Sequence, residues 1–246
     1  MRTTNLNFTA IIITVIAMLS SCNNESYIEL PQIEVSEQPV VADLNANILN
    51  GHEYVDLGLS VKWATCNVDA QYPEDFGGYY AWGDNQPYSH IAHVLDSIGI
   101  KREDVIPTSA SFNSLVMFRV DAVGRALIKK GIDIAQYKWG EGWRLPSKSE
   151  FDELLDNCIW QEVNVDDAVY FKVTSKIPGY TDRYIILPNT GLRFVDNETE
   201  FTEDMVYWTG TIHHDDMINL FVYNTKERYN YMSGAAVGYP VRPVCK

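Results

Sequence analysis

The chain has 246 residues, with 33 Asp and Glu against 19 Lys and Arg, and its formal net charge of −14 disfavours nucleic acid and anionic lipid as partners. With 46% hydrophobic and 21% charged residues it has an ordinary globular composition, long enough for one domain with a sizeable core.

The first 22 residues have the layout of an export leader. Arg2 and the free amine precede an uncharged apolar run from Phe8 to Leu19, too short to span a bilayer comfortably. The run ends in Leu19-Ser20-Ser21-Cys22, which resembles the bacterial lipobox, where small residues admit the processing peptidase to the bond before a diacylglyceryl-modified cysteine. Residues 1–21 are thus expected to be a lipoprotein signal peptide, and Cys22 the lipid attachment that holds the mature protein to a membrane. Each buried methylene contributes about 0.8 kcal/mol, so several acyl chains give lasting attachment. Loss of Arg2 leaves 18 basic residues against 33 acidic ones, a formal −15. From Asn23 to Asn50 the chain is polar and acidic, carries Pro31 and Pro39, and lacks a sustained period, so 22–50 is read as a lipid-anchored tether. Beyond it lie Cys66, Cys158 and Cys245; outside the cytoplasm, one disulfide among them leaves one thiol over.

The domain is expected over 51–246. Short β-like runs occupy both of its ends: Tyr54–Leu57, Val61–Val68 and Gly78–Trp82, then Tyr170–Thr174, Tyr184–Leu187, Met205–Trp208, Asn219–Tyr223 and Val237–Val244. Between them, Ala92–Ile98 and Ser114–Lys130 carry helical spacing. The clearest helix start is Ser147-Lys148-Ser149-Glu150, a capping box after Pro146, followed by Phe151, Leu154, Leu155 and Cys158 on one face. Strands, then helices, then more strands predict an α+β fold.

Candidate chemistry is sparse. His90 and His93 share a helical face, with Asp96 three residues on, and read as surface histidines; His213-His214-Asp215-Asp216 reads as a polar turn. The acidic stretch Asp196-Asn197-Glu198 to Asp204 offers oxygens of the kind calcium takes, but no metal or other cofactor is assigned. No Gly-x-Ser-x-Gly elbow occurs. The aromatic residues are the strongest lead, since flat amphipathic rings suit glycan stacking and protein interfaces. Trp63, Trp82, Trp143 and Trp208 are expected in the core because they lie inside the motifs set out next. Tyr223, Tyr229, Asn230 and Tyr231, in a loop-like stretch of adaptable polar and aromatic groups, are the candidate ligand-binding residues.

Several motifs stand in one order: Tyr54-Val55-Asp56-Leu57-Gly58-Leu59, Trp63-Ala64-Thr65-Cys66-Asn67-Val68, Gly78-Tyr79-Tyr80-Ala81-Trp82-Gly83, Gly142-Trp143-Arg144-Leu145-Pro146, Tyr207-Trp208 and Val241-Arg242-Pro243-Val244. In these the chain resembles the Fibrobacter-type major paralogous domain (FISUMP) family over about residues 51–246. The resemblance implies a C-type-lectin-like fold, related to that of the formylglycine-generating enzyme: a twisted antiparallel sheet, termini close together, two or three helices and long loops. It also implies a surface lipoprotein of Bacteroidota-like bacteria, in the outer membrane at the cell surface or on its periplasmic face. Because such a domain joins the two ends of the chain in one sheet, the resemblance implies a Cys66–Cys245 disulfide. The stretch from Ser89 to Ile132 is richer in helical pattern than the family's loop. The Glu-Pro-Asn or Gln-Pro-Asp and Trp-Asn-Asp sets of sugar-binding calcium sites are missing, as is the thiol pair needed to hold copper. For Arg144 a structural role is expected, against an aromatic ring and acidic or carbonyl oxygens.

These readings point to a non-enzymatic cell-surface module that binds a glycan or a protein through loops between residues 84 and 135 or 196 and 234. The alternative is a structural or accessory subunit of a surface assembly such as a fimbria.

Overall fold

The structure, a computed structural model, describes residues 47–88, 94, 96, 99, 124–165, 168–193, 199–200, 204–214, 217–223 and 231–246. The leader, Cys22, His90, His93, Asp196, Tyr229 and Asn230 lie outside the described residues.

The first described strand lies inside the expected tether. Strands β1 (Asn47–Leu49) and β2 (His52–Val55) pair with Leu49 opposite His52, leaving Asn50-Gly51 as a two-residue turn. Both turn residues have positive φ, 51° and 83°, the type I′ geometry that an Asn-Gly pair favours. Strand β3 (Lys62–Ala64) follows, and the C-terminal strand β12 (Val244–Cys245) pairs with it to complete the sheet β1-β2-β3-β12. The two ends of the domain therefore meet.

Residues 124–130 are helical, the end of the helix expected over Ser114–Lys130, and Gly131 stops it at φ 58°. Helix α1 (Ile134–Trp139), absent from the sequence reading, has local signals at both ends: the Asp133 carboxylate accepts from the N–H of Ala135 at 3.0 Å and of Gln136 at 3.2 Å, and Gly140 ends it at φ 87°. Helix α2 (Lys148–Asn157) starts at the expected capping box, with Glu150 N–H donating to Ser147 Oγ and Ser147 N–H to the Glu150 carboxylate.

Cys158 leads from α2 straight into β4 (Cys158–Val165), an eight-residue strand the sequence reading missed. β4 pairs with β5 (Ala168–Ser175), and β5 with β6 (Tyr184–Pro188). The short β7 (Leu192–Arg193) and β8 (Thr199–Glu200) pair with each other. β9 (Met205–His214), β10 (Met217–Tyr223) and β11 (Tyr231–Gly234) form an antiparallel meander, so part of the stretch read as a loop is a strand.

The class is α+β, and among the described residues the strands form four antiparallel sheets. Most strands pair with their sequence neighbours, the usual outcome where connections are short. The runs Gly78–Trp82 and Val237–Val244 are held instead by single bridges, Tyr80 to Pro87 and to Tyr239, and Gly238 to Arg193.

Two apolar clusters fill the interior. One sets Phe151 and Leu154 of α2 against Trp63 and Phe221, with the Phe151 and Phe221 rings stacked at 4.1 Å. The other holds Trp143, Trp208, Tyr79 and Tyr80. Trp63, Trp143 and Trp208 are buried as expected, and Trp82 is partly buried, its indole N–H donating to Thr209 O at 2.9 Å.

The Cys66–Cys245 bridge is not formed: Cys66, Cys158 and Cys245 are all free thiols. The resemblance rightly implied that the ends pair, but the register sets Cys245 opposite Lys62, four residues before Cys66. At about 3.3 Å per residue the two cysteines stand on the order of 10 Å apart, beyond the roughly 4.4–6.8 Å that a disulfide spans between Cα atoms.

Candidate binding cleft

An open cleft of about 350 Å³ lies where the β1–β2 hairpin, the loop after β3 and the end of α1 converge; His52, Glu53, Cys66, Gln71, Tyr72 and Trp139 line it. The Asn50-Gly51 turn aims the hairpin at α1, and the Asn50 amide secures the junction by donating to Trp139 O at 3.0 Å and to Glu141 O at 2.9 Å. The imidazole of His52 then lies flat on the Trp139 indole, with centroids 3.9 Å apart and planes 9° from parallel, while Trp143 meets both rings edge-on. His52 and Trp139 form one wall, with the buried Trp143 packed behind them.

The facing wall is the loop 67–75. Asp75 holds its tip, the carboxylate accepting from the N–H of Gln71 at 3.0 Å and of Tyr72 at 2.9 Å. Its base rests on Arg242, whose side chain is completely buried. The guanidinium donates to Asn67 Oδ1 at 2.8 Å, Ala64 O at 3.0 Å, Ile186 O at 2.9 Å, Pro73 O at 3.4 Å and Thr65 O. Burial pushes the Arg242 pKa down, and the cation is held by carbonyl and amide dipoles that share its five donors. This motif residue thereby fixes the floor of the cleft. Between the walls, Asp69 sits at φ 64° and takes the Lys138 ammonium on both oxygens, joining loop to helix.

The electrostatics are simple. Burial holds the His52 imidazole below its ordinary pKa, so it is uncharged at neutral pH. Burial pushes the Cys66 thiol up, with the Arg242 charge acting the other way, so the thiolate is scarce. Glu53 is the one acidic or basic residue among the lining set, above the buried Arg242 guanidinium. Tyr72 projects from the loop with 58% of its surface exposed. Two neutral groups, a carboxylate, an amide and flat rings equip the cleft to hold a ligand; they lack an activated nucleophile.

The residues singled out from the sequence fall elsewhere. Tyr223 ends β10 with its ring stacked on Trp160 at 4.3 Å and edge-on to Phe171 at 4.9 Å, which gives it a packing role. Tyr231 opens β11 opposite Leu220. Tyr229 and Asn230 lie outside the described residues, as does most of the stretch 84–135, whereas most of 196–234 is described and consists largely of β8 to β11. Among the described residues, no group of three or more His, Cys, Asp or Glu converges as a metal set, and no helix is long and apolar enough to cross a membrane. Arg144 bonds Glu150 at 2.8 and 2.5 Å and Leu145 O at 2.9 Å; it has the oxygen partners expected of it, while no aromatic ring is among these contacts. The overlooked cleft had one local signal, Asn50-Gly51 flanked by apolar residues, hidden at the end of a polar stretch.

The chain matches no protein-family model, no curated protein and no solved structure.

Proposed function

We propose that this protein is a non-enzymatic lipoprotein of the outer membrane, tethered through Cys22 and displaying a lectin-like domain of the FISUMP type that binds a glycan or a surface protein. The observation that carries this reading is the cleft: its aromatic wall, exposed Tyr72 and neutral thiol and imidazole suit contact rather than covalent chemistry. Glycan and protein arrays probed with the full chain test it. Saturable capture on either array is the expected result, and silence on both at high density would end this reading.

A structural role in a surface assembly has its own support in β4. This strand forms an edge of the ladder β4-β5-β6 and carries the exposed Ile159 and Val165, a surface that suits strand addition by a neighbour. A stoichiometric complex recovered from native membranes would favour this second reading.

A further inference from the structure

We infer that the cleft takes a neutral saccharide, one ring or two, stacked on Tyr72, packed against His52 and hydrogen-bonded to Glu53 and Gln71. This rests on the binding-module reading above and names the class of its ligand.

The first reason is the exposure of Tyr72 at the cleft. It keeps 58% of its surface in solvent, as does Tyr137 on α1, but of the two Tyr72 is the one among the lining residues. The backbone that carries it is held by the Asp75 carboxylate and by Arg242 from beneath, so the loop is set before any ligand arrives. An aromatic at a cleft rim supplies contact area at little entropic cost. Across from it, the His52–Trp139 stack is equally fixed, by the Asn50 bonds.

The second reason is the polar set. A pyranose has C–H faces that lie on aromatic rings and hydroxyls that both donate and accept. Glu53 offers acceptors, and the Gln71 side-chain amide offers donors and an acceptor. The backbone beneath them is already satisfied: Thr65 N–H donates to Glu53 O at 3.0 Å and Gln71 N–H to Asp75. The side chains at the rim remain to order a ligand. The third reason is charge. Glu53 is the one acidic or basic residue of the lining on a chain of net charge −14, and the Arg242 guanidinium beneath is already taken up by Asn67 and backbone carbonyls, a balance that disfavours uronic and sialic acids. The volume, about 350 Å³, lies at the lower end of the roughly 300–1,000 Å³ range of small-ligand clefts and sets the size at one or two rings.

The test uses the full chain in a detergent without a sugar headgroup and reads saturation-transfer NMR. The probes are maltose, lactose, mannobiose and N,N′-diacetylchitobiose, with sialyllactose and digalacturonate as anionic counterparts. At least one neutral disaccharide is expected to receive saturation, strongest at its ring C–H protons, and neither anionic probe. Tyr72→Ala and Glu53→Gln are each expected to weaken that binding about tenfold, a loss of about 1.4 kcal/mol, with thermal midpoints unchanged. Tyr72→Phe is expected to retain it. Saturation of no neutral probe, equal binding of the anionic ones, or indifference to both substitutions would overturn the inference. In any of those cases, continued capture of another ligand on the arrays leaves the binding-module reading standing, and silence there removes both.

Discussion

The Lys138 ammonium lies 2.7 and 2.8 Å from the two carboxylate oxygens of Asp69, and 5.3 Å from the centre of the Tyr80 ring. Tyr80 in turn donates its hydroxyl to Asp69, so one carboxylate ties helix α1, the cleft loop and the core together. The ion pair is partly solvated and contributes about 0.5 kcal/mol. Lys138→Met should therefore lower the melting temperature by only about 1–2 °C. Asp69→Ala should cost distinctly more, because it also strands the Tyr80 hydroxyl and places a residue with Cβ but no polar side chain at φ 64°. Calorimetry that finds the two variants equal would refute this division of labour.

Arg242 should tolerate no conservative exchange. Lysine brings a compact ammonium with three donors to a site built from Asn67 and four carbonyls, and leaves several of them buried and unpaired. Arg242→Lys is expected to cost at least about 2 kcal/mol, or roughly 4–8 °C in melting temperature. Hydrogen exchange should rise first at Gln71 and Tyr72, and unchanged protection there would separate Arg242 from the cleft.

The Arg144–Glu150 pair predicts an acid-side loss of stability. Burial alone raises the Glu150 carboxyl, but the bonds from Arg144 and from Ser147 N–H, with the Arg144 charge, outweigh it and leave the folded value below the ordinary 4.5. A depressed carboxylate stabilises the fold above its unfolded value, and that contribution is lost as pH falls through the folded one. Arg144 is 36% exposed, so the bidentate pair is taken at about 1 kcal/mol. Arg144→Lys and Glu150→Gln should each lower the melting temperature by about 2–4 °C at pH 7, and the gap between wild type and Glu150→Gln should close as pH falls below about 4. A gap that widens in acid would reverse the assignment.

The three domain thiols should separate by accessibility. Cys158 and Cys245 are 4% and 1% exposed, and burial pushes the Cys158 pKa up to about 12, whereas Cys66 opens on the cleft. Alkylation of the native protein at pH 8 should reach Cys66 slowly and the other two only in denaturant. Peptide mapping without reductant should show no Cys66–Cys245 link; its recovery would mean that the β3–β12 register differs from the one seen.

Features encoded within a few residues were legible in the sequence. The Ser147-to-Glu150 capping box set the start of α2 because both of its bonds close within four positions. Burial of Trp63, Trp143 and Trp208 was expected from the motifs that contain them, and the structure shows it. The leader and its lipid cysteine rest on sequence alone. The turn at Asn50-Gly51 was equally local, although a polar neighbourhood masked it. Tertiary structure decided the rest, because the cleft walls come from residues 51–53, 65–73 and 139, which share no periodicity. They meet only because β3 pairs with both β2 and β12, and because Arg242, Asn50 and Lys138 bond across long stretches of chain. Register acts in the same way: a sequence can bring its two ends into one sheet and still leave Cys66 and Cys245 unpaired, since a shift of a few residues along a ladder exceeds the reach of a disulfide.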